Sequence, residues 1–133
     1  MPGSAEGFGS VPVNRLFGFD LRGHDGTTAS VAFHPDPAHA QEYGVVHGGI
    51  VATLADTAAV YTIHPGLAAG ERMTSIEFKV NFLAGAMVER GEVVARARLV
   101  RKGRTVAVVQ VDVAQGPVQV ATGLFTYIIL RGG

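Results

Sequence analysis

The sequence predicts an α+β domain in which a curved antiparallel β-sheet wraps around one long central helix. Three observations predict it. A single stretch, from Gly48 to about His64, has the helical period; two extended runs precede it; and four runs rich in Val, Ile, Phe, Tyr and Thr follow it, separated by Gly-containing turns. The order β-β-α-β-β-β-β with short connections implies antiparallel neighbours, and a sheet packed on one helix is an α+β arrangement.

Taken in order, "MPGSAEGFGSVPV" has neither the basic region nor the apolar region of a signal peptide. It reads as a flexible arm, residues 1–13, ahead of one domain over residues 14–131. "LFGFDLRGHDGTTASVAFHP" is two extended runs about Asp25-Gly26, a pair suited to a tight hairpin because Gly accepts positive φ. "PDPAHAQEYG" carries two prolines among short polar residues and reads as a loop with one helical turn before Tyr43. In the helix, Ile50, Val51, Leu54, Ala55, Ala58 and Ala59 recur at spacings of three and four, and Pro65-Gly66 stops the run. The later strands alternate, as where Val106, Val108, Gln110 and Asp112 face away from Ala107, Val109, Val111 and Val113.

Composition narrows the function classes. At 133 residues the chain suits one core, and its 11 Lys and Arg against 11 Asp and Glu create no global field that would recruit nucleic acid or an anionic membrane. It has no Cys, which excludes a disulfide scaffold and a thiolate nucleophile. His24, His34, His39 and His64 form no ligand-spaced set, so no metal is expected. Every 18-residue apolar window is broken by Arg, Asp, Gln or Gly, so no transmembrane helix and a cytoplasmic location are expected. Hydrophobic residues make up 47% of the chain, more than a domain this small readily hides, so self-association is expected.

One stretch departs from a plain buried helix. "HGGIVATLAD" places His47, Gly48 and Gly49 at its start and Asp56 within its apolar part. A Gly in a helix costs roughly 1 kcal/mol relative to Ala, and a buried carboxylate without partners costs more. This string, HGG followed by six residues and an acid, resembles the hotdog-fold thioesterases related to the phenylacetic-acid pathway, called PaaI-like. The strand order is also that of a hotdog, and the resemblance runs from about Asn14 to Leu130.

The resemblance implies roles that physical chemistry makes intelligible. A helix N-terminus offers unpaired N–H groups and a positive dipole end, and glycines there admit a close approach to the backbone. Gly48 is thereby expected to aim an amide at a thioester oxygen, with His47 holding the turn and Gly49 beside the substrate. Asp56 is expected as general base or nucleophile. The two lie eight positions apart, about 12 Å along a helix axis, so one carbonyl cannot sit close to both. Either Asp56 is unrelated to Gly48, or the two meet across an antiparallel pair of helices from two chains. Hotdog thioesterases build composite sites of the second kind, which implies a homodimer, possibly a dimer of dimers.

The resemblance also implies a donor at Gln41, six residues before His47, and a hydroxyl that orients water early in the next strand. "MTSIEF" offers Thr74 and Ser75; Ser75 is preferred for the water, with Thr74 near the substrate. The turn "RKGRT" gathers Arg101, Lys102 and Arg104, which suit the phosphates of coenzyme A or serve as a solvated hairpin end. The expected activity is hydrolysis of acyl-CoA or aroyl-CoA thioesters without a cofactor, CoA being part of the substrate. A non-catalytic acyl-CoA-binding hotdog is the alternative, disfavoured by the acid at Asp56. A hotdog hydratase is further off, since its His/Asp or His/Glu arrangement is missing.

Overall fold

A computed structural model describes residues 5–132. Helices α1 (Ala5–Ser10) and α2 (Pro12–Phe17) lead into strands β1 (Asp20–His24) and β2 (Thr28–Phe33). The long helix α3 spans Gly48–Ile63, and β3 (Glu71–Phe82), β4 (Val93–Lys102), β5 (Val106–Gln115) and β6 (Val118–Arg131) follow. The six strands form one sheet in the order β1-β2-β4-β5-β6-β3, every pair antiparallel. The expected architecture, a sheet around one long helix, is present, and the hairpin at Asp25-Gly26 forms as the turn residues indicate: Asp25 Oδ1 accepts the N–H groups of Thr27 and Thr28.

Two features depart from the sequence expectation. Residues 1–4 of the expected arm lie outside the described residues, but from Ala5 on the segment is helical and docked. The cause is tertiary: the Phe8 ring is buried against Tyr61 of α3, and buried Asn14 donates from Nδ2 to the Phe8 carbonyl. The link after β3 is the second departure, since neighbouring strands were expected to be joined by short turns. Neighbours in sequence pair at β1/β2, β4/β5 and β5/β6, but β3 pairs with β6, and β2 pairs with β4. The chain from Leu83 to Glu92 therefore crosses the end of the sheet, and buried Gln115 holds that crossing. Its Oε1 accepts the Met87 N–H at 2.8 Å, while its Nε2 donates to the Met87 and Gly91 carbonyls at 2.7 and 2.9 Å.

The core lies between α3 and the inner faces of β2, β4 and β5. Val51, Leu54 and Ile63 of the helix meet Val31, Phe33, Val93, Val109, Val111 and Val113, each burial worth about 1.5–3 kcal/mol. Ala55, Ala58 and Ala59 are also fully buried, so these small residues bring helix and sheet close together instead of leaving a pocket. The β3 edge is less covered. Phe78, on the inner face beside Phe125, and Phe82 remain about half exposed, as do Ile76 and Leu83. Among the described residues no helix is long and apolar enough to cross a membrane.

Candidate active site

His47 caps α3, and its neighbours explain both glycines. Its Nδ1 accepts the Gly49 N–H at 2.9 Å, and its carbonyl receives the Ile50 and Val51 N–H groups at 3.0 and 3.3 Å. A Cβ on Gly49 would lie 3.0 Å from the His47 ring, so a larger residue there would push the capping ring aside. Gly49 was expected beside the substrate; its amide is committed to His47 and so does not offer an N–H there. The Gly48 N–H, by contrast, has no partner among the described residues, and a Cβ on Gly48 would meet the Phe82 ring at 3.3 Å.

Gly48 and Gln41 line one cavity of about 390 Å³, together with Val46, Phe82, Gly85 and Val120. The loop that brings Gln41 there turns sharply at Tyr43 and Gly44, both with positive φ (62° and 74°). It then returns so that the Gln41 N–H donates to the Val45 carbonyl at 2.8 Å. A left-handed Tyr is uncommon, and Tyr43, 90% exposed, adopts that backbone in the loop that brings Gln41 to the cavity.

Asp56 lies farther along α3, half-buried over the sheet. The Tyr127 hydroxyl, from β6, donates to Asp56 Oδ1 and also lies 3.3 Å from the Asp56 carbonyl oxygen. Burial pushes the Asp56 carboxyl above its ordinary value and the Tyr127 bond pulls the other way, burial prevailing. Burial and the nearby acid together push the Tyr127 hydroxyl far up, so it stays a donor. Among the described residues no cation pairs with Asp56.

Ladder register separates the two hydroxyl candidates. Ser75 is directly opposite Tyr127 and so shares its inner face, whereas Thr74 is opposite Ile128 and faces outward. Thr74 was expected near the substrate; the pleat turns it away from Asp56. A bulge follows Ser75, where Ile76 is the extra residue before Glu77 pairs with Thr126. The site residues thus fall into two groups, Gln41, His47 and Gly48 at the helix start, and Asp56, Ser75 and Tyr127 farther along. Sequence reasoning missed Tyr127, although a Tyr at an inward position between Phe125 and Ile129 was a visible sign of a polar group facing the helix.

Arg101 and Lys102, at the end of β4, and Arg104, in the turn before β5, are exposed. Lys102 pairs in the ladder with Ala107, itself the β5 neighbour of Tyr127, so this turn is at the Asp56 end of the molecule. Glu71, held below its usual range first by the Ala68 N–H and then by Arg131 and Lys102, tempers the charge there.

A curved antiparallel sheet around one helix, with a glycine-flanked helix start on a cavity and an acid farther along that helix, defines the class of hotdog thioesterases. The chain belongs to the thioesterase superfamily, whose family model matches residues 43–122. It is 27% identical over 135 aligned positions to the medium/long-chain acyl-CoA thioesterase YigI of Escherichia coli, covering 90% of this chain and 86% of that one. A thioesterase family protein of Silicibacter pomeroyi superimposes with a TM-score of 0.88 at 27% identity, over 98% of each chain. A phenylacetic acid degradation-related protein of Ralstonia eutropha, described as a candidate thioesterase, superimposes with a TM-score of 0.82 at 27% identity, over 89% of this chain and 90% of that one.

Proposed function

We propose that this protein hydrolyses acyl-CoA or aroyl-CoA thioesters in a two-fold dimer, each site combining Gly48 of one chain with Asp56 of the other. The observation that carries the reading is the state of these two groups. Among the described residues the Gly48 amide has no partner beside a cavity and half-buried Asp56 has no cation, yet about 12 Å of helix separates them. Two antiparallel copies of α3 would bring them together twice. The half-exposed Ile76, Phe78 and Phe82 on the open edge strand, and Leu83 just after it, offer apolar area for such a pairing.

The chemistry follows from the roles. Asp56 accepts a proton from water as the water oxygen bonds to the thioester carbon, and charge builds on the carbonyl oxygen. The partner's Gly48 N–H meets that oxygen, a fixed donor worth about 100- to 1000-fold in rate, with the Gln41 side chain as a second donor. The C–S bond then breaks, CoA leaves with its sulfur protonated, and the acid is released. Direct attack by the Asp56 carboxylate, through an anhydride that water then opens, uses the same groups. A protein that only bound acyl-CoA would have no use for a half-buried acid that no cation among the described residues pairs with.

Similarity to the YigI enzyme supports CoA esters as the substrate class. The test is release of free thiol from aliphatic and aromatic acyl-CoAs. Turnover on at least one series is expected, and abolition by Asp56→Asn with the fold retained; binding of acyl-CoA without turnover across the panel would favour the non-catalytic reading.

A further inference from the structure

A carboxylate on a helix has a broad terminal torsion, so Asp56 by itself could present either oxygen in many directions. Several observations show that it does not. Tyr127 is buried, its ring is fixed between β3 and β5, and its hydroxyl reaches both the carboxylate Oδ1 and the backbone carbonyl of Asp56. Asp56 Oδ2 has no partner among the described residues and is not cut off from solvent. Across the ladder from Tyr127 stands Ser75, and directly after Ser75 the strand bulges, which bends β3 at that point.

We propose that Tyr127 is a positioning residue for the thioester reaction: its hydroxyl fixes one oxygen of Asp56, so that only the other is presented to the attacking water or to the carbonyl. The proposal rests on the functional reading above and adds to it a residue from a strand that no site motif includes. Every group packed against Asp56 bears on its protonation, and these are few. Among the described residues Tyr127 is the one titratable group that acts on Asp56; its ladder neighbours are Ser75 and Ala107, and the adjoining helical turns carry Ala52, Thr53, Thr57 and Val60. The hydroxyl favours the ionised acid against the opposing effect of burial.

Tyr127→Phe keeps the ring in the core and removes only the donor. The expected result is a kcat lower by roughly 10- to 100-fold, since a misdirected catalytic group costs on this scale, with KM for the CoA ester unchanged. The acid limb of the kcat profile should move to higher pH, which a purely structural role would not cause. A carbon NMR titration of the Asp56 carboxyl in the folded full chain gives a readout independent of turnover and should move the same way. In the Asp56→Asn background, Tyr127→Phe should change the residual rate no further. If Asp56→Asn is inactive while Tyr127→Phe keeps its kcat within about twofold and its acid limb in place, the positioning role is wrong and the functional reading stands. If Asp56→Asn is fully active, both fall, because Tyr127 then orients an acid that does no chemistry.

Discussion

The Tyr127 hydroxyl donates to Asp56, so a single side chain of β6 joins the middle of the central helix to the sheet and at the same time holds the one acid of the candidate site. Fold and chemistry share that contact. The strand beside it, β3, is the open edge of the sheet, and under the proposed pairing a second copy would cover the residues that remain half exposed there.

Because burial raises the Asp56 carboxyl, the base is protonated at pH values where an ordinary carboxylate is already ionised. Activity should therefore rise with pH through a limb above the usual carboxylate range. Stability has the opposite sign: the unfolded chain ionises first, so the native state is penalised as pH rises from the ordinary value to the raised one, and the penalty persists above it. Asp56→Asn should lower kcat by about 100- to 10000-fold and be more stable than wild type at neutral pH, the advantage vanishing near pH 3. Thiol-release assays and thermal melts across pH check both. An Asn variant with near-normal turnover would remove Asp56 from the mechanism.

A shared site makes two inactive proteins complementary. Gly48→Val pushes a side chain against the half-exposed Phe82 ring, which can give way, and fills the space before the amide. Refolded with Asp56→Asn, half of the dimers should be mixed, each with one intact site, so about a quarter of wild-type activity should return. Mass spectrometry establishes the mixed dimers. Their presence without recovered activity would place acid and amide in separate roles.

Replacing Arg101, Lys102 and Arg104 together by Ala should raise KM for CoA esters and leave kcat unchanged, since phosphate contacts remote from the carbonyl act equally on ground and transition states. A pantetheine thioester, which lacks those phosphates, should be indifferent to the change. Equal losses on both substrates would leave this turn as a solvated hairpin end.

Gln115→Leu tests the chain crossing. It would strip the partly buried Met87 N–H and the Met87 and Gly91 carbonyls of their side-chain partner, at a cost of about 2–3 kcal/mol, or roughly a 10 °C lower Tm at matched protein concentration. An unchanged melting curve would mean that the crossing holds itself.

The central helix and its start were legible because the information is local. Ile50, Val51, Leu54, Ala55 and Ala58 repeat at the helical period, Pro65-Gly66 ends the run, and HGG lies in three successive positions. The hairpin at Asp25-Gly26 was legible for the same reason, since a turn is decided by the residues in it. What Gly49 does was not: its amide and its missing Cβ both answer to the His47 ring, a matter of where that ring folds back.

Contacts distant in sequence were decided by tertiary structure. Sequence alone determined an antiparallel sheet on one helix, an acid set in an apolar stretch and a glycine helix start, because periodicity and short motifs report local backbone preference. It did not determine that β3 lies beside β6, since pairing strands so far apart depends on which apolar faces the whole chain can bury together. Nor did it bury Phe8, whose apolar ring among small residues reads as an arm until Tyr61 is there to receive it. Alternation places Thr74 and Ser75 on opposite faces, but only the register with Tyr127 says which one looks inward. The hydroxyl that holds Asp56 comes from 71 residues away, and no local preference carries information over that separation; the assembled sheet does.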